Sequence, residues 1–324
     1  MTVSQRRDGE ILEGSLRCTE CSRTFPIQRG IPRMLPAGLS AEKEKTARAF
    51  GYEWRHFVEM HDVYEKQFLD WIHPLQPDFF KDKLVLDAGC GIGRHTYFAA
   101  QYGARDVVAM DLSEAVETCF ANAGHLPNVH VVQADIYHPP FRQINREEPF
   151  DFVYSIGVLH HLPDPEAGFR SLAATVKPGG AIFGWVYGFE NNGFVHYVVN
   201  PARKGITSRL PPGVVNAISW PITVVLQGVV KGVYRPLHGT AAGNRLPLHE
   251  YLWSLSFFSF RQNHSIVFDH LIAPTAFYLK RSEFEGWFQR AGLEHIQLSW
   301  RNQNSWRGFG QVPAAQEVRR ARTS

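Results

Sequence analysis

The feature that most constrains this chain is a junction. Residues 84–89, LVLDAG, run directly into CGIGRHT at residues 90–96. A short apolar run ending in an acid and a glycine reads as a buried parallel strand. Gly89, Gly91 and Gly93 then let a ligand approach the backbone before a helix that begins near Arg94. The same strand pattern recurs in DVVAMD (106–111), NVHVVQAD (128–135), FDFVYSIG (150–157) and GGAIFGWVYG (179–188), with amphipathic helical stretches between most of them. This alternation predicts a parallel α/β sheet covered on both faces, with ligands beyond the carboxyl ends of its strands.

The spacing of the glycines narrows the ligand. A dinucleotide turn needs G-x-G-x-x-G, but position 94 is arginine and the spacing is G-x-G-x-G after Asp87, which leaves no seat for a pyrophosphate. Asp111 ends the second strand 22 residues after Gly89 and suits two ribose hydroxyls. Asp135 ends the third strand and suits an adenine amino group. Either carboxylate alone reads equally well as a cap or turn former. The ordered set describes an adenosyl ligand carrying an amino acid, which is S-adenosylmethionine.

The segments VLDAGCGIGRHT, VVAMDLS, VVQADI, FDFVYSIGVLHHLPDP and LAATVKPGG resemble, in order, the motifs of class I S-adenosylmethionine-dependent methyltransferases. The resemblance covers residues 83–188. It implies a Rossmann-like seven-stranded sheet with helices on both faces and an antiparallel last hairpin. It implies S-adenosyl-L-methionine as cofactor, S-adenosyl-L-homocysteine as product and no metal. The cofactor-binding set it implies is Asp87, Gly89, Cys90, Gly91, Asp111, Leu112, Asp135, Ile136 and Ser155. EFEGWFQRAGLEHIQLSW (283–300) is similar to the family's final helix and sixth strand, and a seventh strand is expected within residues 306–312.

Outside the motifs, AFGYEWRHF (49–57) resembles a segment that closes over the cofactor in many such enzymes. Tyr52 and Trp54 would then offer aromatic faces to a sulfonium; the alternative is simple docking of an amphipathic helix. His160 and His161 follow the fourth strand, where each is either a base or a structural cap. Asp269, His270 and Tyr278 precede the final helix in a region that faces the acceptor in similar methyltransferases. Each is read as an acceptor-binding or deprotonating residue, or else as a hydrogen-bonded core group.

The remaining segments set the organisation. Residues 1–38 resemble the second half of a zinc-ribbon-like module, with Cys18 and Cys21 spaced for one metal but no upstream cysteine or histidine. Three readings stand: a metal-free degenerate remnant, which is preferred, a zinc shared across a homodimer, or a redox pair. Residues 39–82 form a helical lead-in, 83–190 and 274–313 the core, 191–273 a helical insertion over the substrate, and 314–324 a tail. With four cysteines and a polar start, the chain is expected in the cytoplasm, with peripheral membrane contact an open alternative. A net charge of +3 does not call for nucleic acid.

In the insertion, residues 214–234 place Ser219, Thr223, Gln227 and Lys231 on one stripe of an otherwise apolar helix. Such a helix is either buried in the protein or half-sunk in a membrane interface, with burial preferred. The expected pocket beneath it is apolar, pointing to an apolar or aromatic small-molecule acceptor methylated by in-line displacement. The rival readings are an RNA methyltransferase and a non-catalytic cofactor-binding or membrane-associated module.

Overall fold

The computed structural model describes residues 1–7, 10–141, 150–193 and 195–314. The residues 315–324 of the expected tail lie outside these. Helix α1 (Ala41–His56) starts where Ser40 Oγ accepts the Lys43 N–H at 3.3 Å, and α2 (Val63–Ile72) follows it. The core then alternates as the glycine-strand pattern predicts. Strand β5 (Leu84–Ala88) leads to α3 (Arg94–Gln101), β6 (Asp106–Asp111) to α4 (Ala115–Ala123), and the next strands along the chain are β7 (Val129–Ala134) and β8 (Phe150–Ile156). Helix α5 (Pro165–Ala173) is capped by Asp164, whose side chain accepts the Ala167 N–H at 3.0 Å, with Pro165 in the first turn. Strand β9 (Val176–Tyr187) closes the parallel part.

Successive side chains on these strands enter different layers, as a two-residue period requires. Val85, Phe152, Tyr154 and Phe183 join one apolar cluster, while Leu86, Val153 and Ile182 join the other. Both faces of the sheet are therefore covered.

The sheet is larger than the seven strands expected. Strands β1 (Thr2–Arg7), β2 (Glu10–Arg17), β3 (Thr24–Gln28) and β4 (Ile31–Met34) extend it to eleven, ordered β1-β2-β3-β4-β7-β6-β5-β8-β9-β11-β10. Here β10 (Glu294–Arg301) and β11 (Ser305–Gln311) form the antiparallel last hairpin, preceded by α11 (Arg281–Arg290), as the resemblance implied. The added strands are joined through β4, which pairs parallel to β7 with Arg33 opposite Gln133 and Met34 opposite Ala134. Arg33 also pairs with Glu117 on α4, and Ile31 is fully buried. The physical reason is the edge: without β4, β7 would present unpaired backbone groups. Among the seven remaining strands, the order β7-β6-β5-β8-β9-β11-β10 is the expected core.

The insertion carries α6 (Asn200–Gly205), α7 (Pro212–Val229), α8 (Arg235–Leu237), α9 (His249–Leu255) and α10 (Phe260–Ile272). Ser259 and Gln262 cap α10 reciprocally. Helices α1, α7 and α10 meet around Ala49, Phe57, Val215, Phe268 and Ile272. The preferred burial of α7 is corrected: its polar Ser219 and Thr223 are buried, whereas Ile218, Trp220, Val224 and Val225 are exposed. Lys231 leaves the inward stripe and is exposed.

Candidate functional site

The site starts at the carboxyl ends of β5, β6 and β7. Gly89 leaves β5 with φ +93°, and a Cβ there would lie 2.3 Å from Val158 Cγ2, so glycine is required. The Gly89 and Cys90 N–H groups donate to Met110 O at 2.7 and 3.0 Å, fixing the turn against β6. The Gly91 N–H donates to Asp111 Oδ2 at 3.0 Å, while Ser113 gives Oδ1 its N–H and its hydroxyl, each at 2.8 Å. Burial raises the Asp111 pKa, and the Ser113 and Gly91 donors oppose it. Asp111 is thus oriented as an acceptor at the tip of its strand. At the tip of β7, Asp135 is 2% exposed, accepts the Tyr137 N–H through Oδ1 at 3.1 Å and the Lys43 Nζ through Oδ2 at 2.7 Å.

A cavity of about 240 Å³ opens at this rim and is lined by Gly89, Cys90, Gly91, Asp111, Leu112, Asp135 and Ile136. It therefore gathers most of the cofactor-binding residues expected from the sequence. Two of them are corrected. Asp87 and Ser155 lie behind the turn instead of lining the cavity: Asp87 accepts from Thr96 Oγ1 at 2.7 Å, and Ser155 Oγ donates to Ala88 O at 2.8 Å. Burial pushes the Asp87 carboxyl up to about 7, with the Thr96 hydrogen bond opposing. Both hold the turn from beneath.

The aromatic lid is corrected as well. Tyr52 does not line the cavity; it stacks on His56 with ring centroids 3.9 Å apart and packs on Phe268. Trp54 does line it, but its ring already faces a cation. The Arg94 guanidinium lies 5.5 Å from Trp54, 5.3 Å from Tyr64 and 5.0 Å from Trp71. Arg94 itself lines the cavity, and among the described residues no carboxylate lies within 4.0 Å of it.

Beyond the rim the same cavity is walled by Phe50, Trp71, Trp185 and Tyr187, with His161, Asp269, His270 and Tyr278 among them. The structure thus brings four of the five catalytic candidates to one chamber. His160 is the exception: it is fully buried behind the wall, 3.9 Å from the Tyr187 ring, with neither ring nitrogen bonded. Packing, not access, explains its place. His161 Nδ1 lies 2.7 Å from Thr275 O. A carbonyl only accepts, so Nδ1 carries the proton and Nε2 is left as an acceptor. Burial lowers the pKa of both His161 and His270, keeping them neutral near pH 7.

The residue that sequence reasoning missed is Glu53. It is 1% exposed on α1, its Oε1 accepts from Ser265 Oγ at 2.9 Å, and its Oε2 has no protein partner. One turn along α10 from Ser265, Asp269 Oδ2 accepts from the Tyr187 hydroxyl at 2.9 Å and Oδ1 is likewise unpartnered. Burial, reinforced by the Asp269 charge, lifts the Glu53 pKa well above its ordinary value. Tyr278 Oη and His270 Nδ1 are also buried and unpartnered. A buried polar atom without a partner is costly. Several of them in one apolar chamber mark where a ligand's polar groups belong.

Cys18 and Cys21 sit in the turn between β2 and β3, where Cys18 N–H donates to Arg23 O at 2.8 Å; both thiols are free. Among the described residues, neither joins a cluster of three metal-ligating side chains. The cluster that does occur, His238, His249 and Glu250, has His238 Nδ1 and His249 Nε2 bonded to each other at 3.0 Å.

Residues 86–184 match the family model described as a methyltransferase domain. A ubiquinone biosynthesis O-methyltransferase of Neisseria meningitidis is 34% identical over 153 residues, which is 44% of this chain and 61% of that protein. A tRNA U34 carboxymethyltransferase of Ruthia magnifica is 32% identical over 137 residues, 40% of this chain and 37% of that one. The chain thus spans less than two thirds of the length of these curated relatives. Human N-acetylserotonin methyltransferase shares the fold with a TM-score of 0.50 at 12% identity, covering 86% of this chain and 61% of that one.

Proposed function

We propose that this chain, whose residues 86–184 match a methyltransferase domain, transfers a methyl group from S-adenosylmethionine to an apolar or aromatic small molecule held beside Glu53 and Asp269. The observation that carries the reading is the continuity of the cavity. Its rim carries Asp111 and Asp135, and its wall sets several aromatic rings beside unpartnered polar atoms.

In this reading Asp111 accepts the ribose hydroxyls, and Asp135, with Leu112 and Ile136 beside it, receives the adenine. Arg94 pairs with the carboxylate of the methionine moiety, its guanidinium already steadied by three rings. S-adenosylmethionine supplies the electrophilic methyl group. The protein's part is to orient the acceptor, exclude water and accept a proton where the acceptor must lose one. His161 Nε2 and Asp269 Oδ1 are the acceptors available for that proton. Burial favours the protonated form of Glu53, in which it donates a hydrogen bond.

A second reading, methylation of RNA, is favoured only by the name of the Ruthia relative. A chamber of this kind admits a flipped base but offers little backbone recognition. The test uses methyl-labelled cofactor. Label should enter an organic-extractable fraction of cell extract and not purified RNA, and calorimetry should give binding of the cofactor that Asp111→Ala weakens roughly 100-fold. Unchanged affinity in that variant would sink the cofactor assignment, and label in RNA would overturn the acceptor class.

A further inference from the structure

Helix α7 is turned inside out. Val215, Ser219 and Thr223 are fully buried, while Ile218, Trp220, Ile222, Val224, Val225 and Val229 face outward, Val225 at 67% and Trp220 at 55% exposure. Only 22% of the most apolar stretch of Pro212–Leu237 is buried. Three inward side chains, Ser219, Thr223 and Gln227, are hydrogen-bonded. Ser219 Oγ lies 2.7 Å from His264 Nε2, Thr223 Oγ1 donates to Ser219 O at 2.8 Å, and Asn263 Nδ2 donates to Gln227 Oε1 at 2.6 Å. Rotating the helix to hide its valines would break the Ser219–His264 and Gln227–Asn263 bonds to α10 and strand those groups. The outward apolar face is therefore locked in place.

Charge decides what covers it. Residues 191–249 contain six Lys or Arg and no Asp or Glu, although the whole chain is nearly balanced at +3. Arg203 is buried, and Lys204, Arg209, Lys231, Arg235 and Arg245 are exposed. A second copy of the chain would set two basic, acid-free faces against each other with nothing to pair them. RNA would find the charge but mostly aliphatic side chains where stacking rings are needed. An anionic bilayer meets both halves of the surface: acyl chains take the valines and isoleucines, and headgroup phosphates take the lysines and arginines. Trp220 suits the boundary between them. By length and composition Pro212–Leu237 is able to cross a membrane, but its polar stripe is bonded to α10, so it lies in the plane.

We propose that the outward face of α7, with its flanking basic residues, docks the protein in-plane on a bilayer rich in anionic lipid. This inference does not depend on the proposed activity. It does have a bearing on it, since α10 packs on α7 and also lines the chamber through Asp269 and His270.

The test is co-sedimentation of the full chain with phosphatidylcholine vesicles containing roughly a third phosphatidylglycerol. Binding is expected, much weaker to pure phosphatidylcholine, and falling as salt rises. The double variant Ile222→Glu, Val225→Glu should lose at least tenfold in vesicle affinity while keeping its thermal midpoint and cofactor affinity. Brominated lipid should quench wild-type fluorescence more than that of Trp220→Leu. Three results would overturn the proposal: no vesicle binding, equal binding by the double variant, or a wild-type dimer in solution that the double variant dissolves. Displacement from vesicles by RNA at equimolar phosphate, with retention on RNA that the double variant abolishes, would assign the face to RNA instead.

Discussion

Lys43 Nζ donates to Asp135 Oδ2 at 2.7 Å, so the first turn of α1 is tied to the carboxylate that ends β7. Asp135 is nearly inaccessible and Lys43 is largely covered. Removing the cation leaves a buried carboxylate without its partner, which is strongly destabilising. Lys43→Met should cost about 3 kcal/mol in urea unfolding, and Asp135→Asn in the same chain should recover part of it. If the double variant is no more stable than Lys43→Met, the ion pair does not hold the helix.

Arg94 yields a prediction that separates two ends of one ligand. Arg94→Met should weaken S-adenosylmethionine binding about tenfold, the size of one charge-assisted hydrogen bond, and leave adenosine binding unchanged. Calorimetry with both ligands reads the difference. Equal losses would mean that Arg94 shapes the aromatic box instead of meeting a carboxylate.

Glu53 and Asp269 are predicted to behave differently although both are acids in one chamber. Because burial favours the protonated form of Glu53, Glu53→Gln, which mimics that form, should retain most activity near pH 7. Asp269→Asn should reduce kcat by roughly 100-fold if it accepts the acceptor's proton, with the cofactor affinity unaltered. The reverse order of losses would exchange their roles.

Asp87 gives a pH dependence of stability with a definite sign. Its folded pKa of about 7 lies above the ordinary value of 3.8, so the folded state holds a proton that the unfolded chain releases. Below about pH 4 the carboxyl is protonated in both states and its burial carries no ionisation penalty. As pH rises from about 4 to 7 that stability is lost, by at most about 4 kcal/mol. Urea midpoints of Asp87→Asn should therefore gain on the wild type across this window and run parallel above it. A constant offset would mean that Asp87 ionises normally in the fold.

How far the sequence carried these conclusions depended on the range of the interactions. The glycine turn, Asp111 and Asp135 are set by a strand and the few residues after it, so their spacing alone located the rim of the cavity. Glu53 has a sequence signal of its own: Ala49, Glu53 and Phe57 fall four apart along α1 and its C-cap, and Ala49 and Phe57 are core residues. An acid on the buried stripe of a helix is a site signal. Tyr52 and Trp54 are two positions apart and so face different ways, which sequence density of aromatics does not distinguish. For α7 the periodic pattern separated polar from apolar residues correctly. Which of the two faces looks inward is fixed by His264 and Asn263 on a helix some forty residues later, and no local pattern contains that.

The parallel pairing of β4 with β7 changes what the cysteine-bearing segment is to the molecule. A bead on a string can be cut away, whereas a strand seated beside β7 acts as a splint. Trimming the first 38 residues would bare the edge of the very strand whose tip carries Asp135, inviting edge-to-edge aggregation. The turn that carries Cys18 and Cys21 thus belongs to a segment that braces the Asp135 end of the sheet.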